Sequence, residues 1–234
     1  MIFRKLNWEK IIFYFVLISL IVASISVIIL MIAAPSKSTA SADRTKSEYV
    51  LMLLQSVLGI AAMFLPALIE HRIKLIIPSR MMIVYALFLY CAIYLGEVRD
   101  FYYVIPHWDD ILHATSGATL SALGFSIIVL LNNTDRVPVN LSPIFVCLFT
   151  FCFAVTLGAL WEIYEFTFDG LLGLNMQKFA LRDGTQLVGH TALKDTMKDL
   201  VTDSLSAFTI SALGYVSLIY KKDWVERLLL KRQR

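Results

Sequence analysis

Carboxylates and one histidine occur at helical spacing beside three long apolar runs in the second half of this 234-residue chain. Residues three or four apart lie on one face of an α-helix, so each group would point in a single direction. Because lipid accepts charged side chains only at high cost, these faces should turn toward one another, toward water or toward a cation. The groups are Asp109 with His113; Glu162, Glu165 and Asp169; and Asp195, Asp199 and Asp203.

Many carboxylates with a single imidazole form the type of ligand set that suits Mg, Mn, Fe or Zn, rather than copper or an iron–sulfur cluster. We therefore predict a site for one or two divalent ions. The predicted metal ligands are Asp109, His113, Glu162, Glu165, Asp199 and Asp203. The candidate catalytic residues, as general bases, are Glu165, Asp195 and His113. The further polar residues of the predicted site are Asp110, Asp169, Gln177, Arg182 and Lys198.

A simpler interpretation covers part of this pattern. Acids at the start of a helix are favoured by the helix dipole, which would explain Asp109, Asp110 and Asp195 without any site. The dipole does not explain Glu162, which lies at the end of an apolar run, or Asp203, which lies about two turns inside the next run. These acids favour a functional site.

The composition is that of an integral membrane protein. Hydrophobic residues make up 58% of the chain and charged residues only 17%, whereas soluble domains have about 25% charged residues. The three cysteines lie inside apolar runs without paired spacing, so no disulfide framework is expected. We expect membrane lipids as partners and no nucleic acid.

A helix of about 20 apolar residues crosses the hydrocarbon core of a bilayer. The sequence predicts an all-α integral membrane protein, a single domain over residues 1–234 with six transmembrane helices. The predicted spans are residues 11–34, 49–69, 80–97, 110–133, 142–166 and 199–220. The basic, amphipathic tail at 221–234 should lie on the membrane surface.

The distribution of Lys and Arg predicts the orientation. Thirteen of the 21 Lys and Arg residues fall on the side of the two termini if six spans are present. Since positive residues favour the cytoplasmic side, both termini should be cytoplasmic, in a multi-pass protein of the cell membrane. All three acidic groups then fall at one membrane level, near the outer face.

Residues 109–124 and 199–214 align without gaps at an offset of 90. Asp109 aligns with Asp199, Gly124 aligns with Gly214, and His113 aligns with Asp203. Chance matches are common in apolar helices, but a parallel internal repeat of this kind can frame a binding site. If the repeat is real, the two halves supply equivalent ligand pairs.

Several short motifs resemble those of the YjdF-type family of bacterial polytopic membrane proteins. The motifs are Trp108-Asp109 followed by His113; residues 160–166; residues 175–177; and the Asp195 to Asp203 segment. More distantly, the layout resembles VanZ-like proteins. The YjdF-type resemblance implies a polytopic cell-membrane protein and no particular reaction, whereas the VanZ-like resemblance implies envelope- or lipid-related work.

Three functions remain open from the sequence. The first is a metal-dependent membrane hydrolase or transferase that acts on a lipid or a lipid-linked phosphate at the outer leaflet. The second is an ion- or proton-coupled transporter whose acids bind the coupling ion. The third is a non-catalytic scaffold stabilised by a cation, or an envelope-stress partner.

Overall fold

The structure, a computed structural model, describes residues 7–34, 44, 46–132, 141–181, 184–220 and 231–232. The described chain is almost entirely helical. The helices are α1 Trp8–Ala33, α2 Lys46–Met63, α3 Leu65–Ile73, α4 Ser79–Leu89, α5 Phe101–Val104, α6 Trp108–Asn132, α7 Pro143–Leu172 and α8 Lys194–Tyr220. A π-helical segment, Tyr90–Val98, continues α4, and a 3₁₀ turn, Gly189–Thr191, precedes α8. The strands Leu75–Ile76 and Lys231–Arg232 form a short antiparallel pair.

Five helices or helix pairs are long and apolar enough to cross a membrane. They are Trp8–Ile32, Lys46–Arg72, Ser79–Val98, Trp108–Leu131 and Pro143–Leu172. They match the first five predicted spans, with ends that differ by a few residues. The sixth predicted span is helical, as α8, but it does not meet the same test of apolar length. Of the predicted basic tail at 221–234, only residues 231–232 lie within the described residues.

Local signals set the ends of α7. The Ser142 hydroxyl accepts a hydrogen bond from the Phe145 N–H (3.3 Å), and Pro143 occupies the first helical position, where its missing N–H costs nothing. At the other end, Gly173 adopts a left-handed conformation (φ 64°) and donates its N–H to the Asp169 carbonyl (3.0 Å). The helix therefore runs past residue 166, where the sequence predicted the end of the span.

The helices pack in two groups. Helices α1, α2 and α4 share one apolar core, which includes Val16, Leu20 and Met63. Helices α6, α7 and α8 pack against one another, with a second core around Phe125 and Val146. Many large apolar side chains on the outside of both groups are exposed, as expected for helices that face lipid. The acids lie in the second group.

Candidate metal site

Helices α6 and α8 run parallel and contact each other through residues 90 positions apart. His113 Nδ1 lies 3.3 Å from Asp203 Oδ2, and the hydroxyls of Ser121 and Ser211 lie 3.1 Å apart. The Ser121 hydroxyl also lies 3.2 Å from the Ala207 carbonyl. A constant offset across the contact is what two equivalent parallel helices produce. The proposed internal repeat therefore coincides with the physical contact between these helices.

Small residues allow this close approach. Ser121 and Ser211 are fully buried, and a Cβ added to Gly117 would lie 2.8 Å from the Asp203 carbonyl oxygen. Close backbone contact through small residues is a common way to join helices in membranes, where no hydrophobic force drives them together. The seam between α6 and α8 thus fixes the relative positions of His113 and Asp203.

Asp203 orients the imidazole of His113. One carboxylate oxygen of Asp203 lies 3.3 Å from His113 Nδ1, and the other accepts a hydrogen bond from the Ser116 hydroxyl (3.2 Å). Asp203 and His113 are both buried. If Nδ1 carries the proton and donates a hydrogen bond to Asp203, Nε2 keeps a free lone pair. Metal-binding histidines are commonly held by a carboxylate in this way.

Two more carboxylates face the other imidazole nitrogen. His113 Nε2 lies 3.7 Å from Asp199 Oδ2 and 3.9 Å from Asp109 Oδ1. One ligand atom from each of these three residues can be chosen so that all lie within 4.8 Å of one another. These separations are too long for hydrogen bonds. They suit atoms that share one cation, since two ligands at about 2.1 Å from an ion lie roughly 3–4 Å apart.

Two carboxylates of the site are buried without hydrogen-bond partners. Asp199 is 1% exposed and Glu162 is 4% exposed. No described group makes a hydrogen bond of normal geometry to either oxygen of Asp199 or of Glu162. The Thr196 hydroxyl and the His113 imidazole lie near the Glu162 carboxylate. Unpartnered buried carboxylates are costly and need an explanation. A bound cation would provide one.

Lys178 supplies positive charge to this site. Its ammonium contacts Asp109 Oδ2 and lies 3.3 Å from Asp195 Oδ2. Burial alone would lower the pKa of Lys178, but Asp109 and Asp195 outweigh burial and hold that pKa above its usual value. Lys178 is therefore charged at neutral pH. The two oxygens of Asp109 are thus divided between His113 and Lys178.

The loop after α7 is built so that it presents Lys178. The Asp169 carboxylate accepts hydrogen bonds from the backbone N–H groups of Met176 (2.7 Å) and Gln177 (3.0 Å). The Asn175 side chain bonds in both directions to the backbone of Ala180, at 2.7 and 2.9 Å. These bonds hold the chain on both sides of Lys178. Asp169 therefore supports the loop and does not reach the ligand cluster.

The other predicted polar residues lie around the cluster. Glu165 accepts a hydrogen bond from the Trp161 indole (3.0 Å), and the Gln177 amide donates to the Thr196 hydroxyl (2.8 Å). Asp110 pairs with Lys198 and with His107, on a different side of the α6 start from Asp109. Arg182 lies outside the described residues.

A cavity of about 420 Å³ connects the two helix groups. Its walls include apolar side chains of α2, α4 and the π-helical segment, such as Leu58, Phe88 and Ile93. Its polar wall is formed by Glu97, Asp109, His113, Glu165, Lys178 and Asp203. The cavity therefore has a large apolar part and a charged part.

The structure brings together most of the acids that the sequence singled out, but these acids have different contacts. Asp109, His113 and Asp199 form one cluster, Asp203 supports it, and Asp195 joins it through Lys178. Sequence reasoning missed Lys178 as a site residue. The one available signal was that this lysine lies in the loop that joins the two acidic helix ends.

The fold defines a multi-pass helical membrane protein with a buried carboxylate–histidine cluster. Residues 12–219 match the family described as "Predicted membrane protein (DUF2238)", and the chain belongs to this family. YjdF-type proteins are members of it, so that resemblance is confirmed. The more distant VanZ-like resemblance stays a prediction.

One curated relative, an uncharacterized protein of Thermotoga maritima, is 31% identical over 149 residues. The alignment covers 63% of this chain and 64% of that protein, so the chain spans less than two thirds of its relative's length. No solved structure is a significant match to the chain.

Proposed function

We propose that this protein binds a divalent metal ion through Asp109, His113 and Asp199 and acts on a lipid or a lipid-linked phosphate. The ligand types suit Mg, Mn, Fe or Zn. Asp203 would orient His113, and Glu162 would supply a further carboxylate on the α7 side. The unpartnered, buried carboxylates of Asp199 and Glu162 support a cation at this position.

The observation that carries the choice of substrate is the cavity. Its apolar walls would suit part of an acyl or isoprenoid chain, and its polar part reaches Asp109, His113 and Lys178. A phosphate headgroup would lie at the charged end, where Asp109, His113 and Asp199 would hold the ion; a bound divalent ion would offset phosphate charge and make a water or hydroxyl more acidic. Glu165 and Asp195 are the proposed general bases, since Glu165 lines the cavity and Asp195 lies beside Lys178.

We further propose that α8 is the sixth span. Its first ten residues include Lys194, Asp195, Lys198, Asp199 and Asp203, so its uncharged stretch is short, from residue 204 to residue 220. Asp199 and Asp203, however, are buried against α6 and α7 and would not face lipid. With six spans, the distribution of Lys and Arg favours cytoplasmic termini and a site near the outer face.

The enzyme proposal is favoured over an ion-coupled transporter by what lies below the cluster. Deeper between α6 and α8, Ser121 and Ser211 bond to each other. Beyond them, Phe125, Ile128 and Val146 form an apolar cluster. Hydroxyls such as those of Ser126 and Thr150 are also buried in this region, but its described residues include no Asp, Glu, Lys, Arg or His, which an ion path to the other face would need.

Metal analysis of the purified protein tests the proposal. We expect about one divalent ion per chain after purification in detergent and a loss of affinity of at least about tenfold in Asp199→Asn, because a ligand is removed. Asp110→Asn is the matched control, since Asp110 is the neighbour of Asp109 but pairs with Lys198 and His107.

Wild-type protein without stoichiometric metal, even after incubation with Mn²⁺ or Zn²⁺, would refute the metal site. Equal losses of metal affinity in the two variants would show that affinity depends on the total negative charge of this region and not on Asp199 as a ligand. Metal binding that is sensitive to Asp199→Asn, combined with metal-driven ion flux in vesicles, would support the transporter instead.

A further inference from the structure

We propose that Lys178 is a tethered cation that a divalent ion displaces from Asp109, and that the freed ammonium then binds the phosphate group of the substrate. This inference rests on the proposed metal site and adds a residue for substrate recognition. In the metal-free protein, Lys178 pairs with Asp109, and the metal takes its place.

The division of Asp109 between two cations is the first support. One oxygen of Asp109 faces His113 Nε2 and the other contacts the Lys178 ammonium. A divalent ion bound at Asp109, His113 and Asp199 would draw on one of the two carboxylates that neutralise Lys178, and Asp195 would remain as the other. The ion and the Lys178 ammonium are both positive and would lie on the two oxygens of one carboxylate, so they would repel each other. The metal and the ammonium therefore compete for Asp109.

The placement of Lys178 in the cavity is the second support. Among the cavity-lining residues that the structure describes, Lys178 is the one Lys or Arg, and it stands among the carboxylates of Glu97, Asp109 and Glu165. An anionic group could approach such an acidic wall only beside a cation. A lysine ammonium is a common partner for phosphate. An ion at the cluster and Lys178 would together surround one phosphate.

The construction of the loop is the third support. Lys178 has a positive φ of 49°, which is uncommon for a residue with a Cβ. Its ammonium also lies 5.5 Å from the ring centre of Tyr102, which lines the same cavity. The backbone bonds to Asp169 and Asn175 on either side keep the lysine at the cavity, where its ammonium reaches both Asp109 and Asp195.

The test measures Mn²⁺ affinity in wild-type protein, Lys178→Met, Lys178→Arg and Lys198→Met. Lys198 is the matched control because it pairs with Asp110, the residue next to Asp109. We expect Lys178→Met to bind Mn²⁺ about fivefold or more tightly, within the usual range of coupling between sites. Lys178→Arg should stay near the wild type, and Lys198→Met should change by less than about twofold.

A second measurement repeats the Mn²⁺ titrations with inorganic phosphate or with dodecyl phosphate. Linkage is reciprocal, and because an anion beside the metal is attracted to its charge, each should tighten the binding of the other at a fixed concentration of free Mn²⁺. We expect this tightening in the wild type and in Lys178→Arg and its loss in Lys178→Met. A larger effect of dodecyl phosphate would indicate a lipid headgroup, and equal effects would indicate free phosphate.

The outcomes separate the two proposals. Mn²⁺ binding that depends on Asp199 but is unchanged or weaker in Lys178→Met overturns the role of Lys178 alone. The same is true if Lys198→Met has an equal effect, or if phosphate still tightens Mn²⁺ binding in Lys178→Met. Absence of Mn²⁺ binding in the wild type and in every variant overturns both proposals. Thermal unfolding of each variant shows that the chain remains folded.

Discussion

Gly117→Ala is the most direct test of the seam between α6 and α8. An added Cβ would lie 2.8 Å from the Asp203 carbonyl oxygen and 3.1 Å from Asp203 Cα. Both are backbone atoms, so they cannot rotate away as a side-chain end would. Since non-bonded carbon atoms prefer about 3.5 Å or more, the two helices must separate by roughly 0.5 Å.

The separation has a calculable cost. Adding a methyl group to a tight interface typically costs about 1–3 kcal/mol. The same shift would stretch the Ser121–Ser211 contact of 3.1 Å and the His113–Asp203 contact of 3.3 Å beyond good hydrogen-bond length, at roughly 1 kcal/mol in total. Replacing glycine with alanine in a helix returns up to about 1 kcal/mol. The expected net loss is about 1–3 kcal/mol.

Thermal unfolding in detergent checks this expectation against Gly170→Ala. Gly170 also lies inside a helix, but nothing lies within 4 Å of an added Cβ. Gly170→Ala should therefore leave Tm unchanged or raise it. Gly117→Ala should lower Tm by several degrees, at about 2–4 °C per kcal/mol for a chain of this size, and weaken metal binding. Equal Tm values for the two variants would mean that α6 and α8 are not packed as described.

Two further changes test the supports of the site. Asp169→Ala should speed hydrogen exchange in the loop around Lys178 and lower stability by about 1–3 kcal/mol, because the Met176 and Gln177 N–H groups lose a charged acceptor. Asp169→Asn keeps an acceptor oxygen and should retain more of the protection from exchange. Equal exchange rates in the wild type and both variants would refute this role of Asp169. His113→Asp and Asp203→His should each weaken metal binding about tenfold or more. If the two helices are equivalent, the double variant should recover part of the lost metal affinity. A double variant that binds metal no better than the single variants would contradict that equivalence.

The helices and their polar faces were predictable from the sequence for simple physical reasons. Long apolar runs have few alternatives to membrane-spanning helices, and steps of three or four put Asp199 and Asp203 on one face. Both are buried in the structure. Two pairs of residues that align at the offset of 90, His113 with Asp203 and Ser121 with Ser211, also contact each other in the structure.

Other features could not be predicted from spacing. Lys178 lies in a loop, and no periodicity determines where a loop side chain points. The role of Asp169 depends on backbone N–H groups that are seven and eight residues further along the chain. The sequence counted Asp203 as a metal ligand, but its hydrogen bonds to His113 and Ser116 favour a supporting role, and that distinction requires distances.

Helix α7 gives helices α6 and α8 different surroundings. Its buried face carries Thr150, Ala154, Gly158 and Glu162 at steps of four. A Cβ on Gly158 would lie 3.2 Å from the Asp203 carboxylate carbon, so the glycine makes room for that carboxylate against α7. One turn later, Glu162 adds a carboxylate to the same wall. Asp203 of α8 therefore packs against Gly158, and Asp109 and His113 of α6 line the cavity together with Lys178.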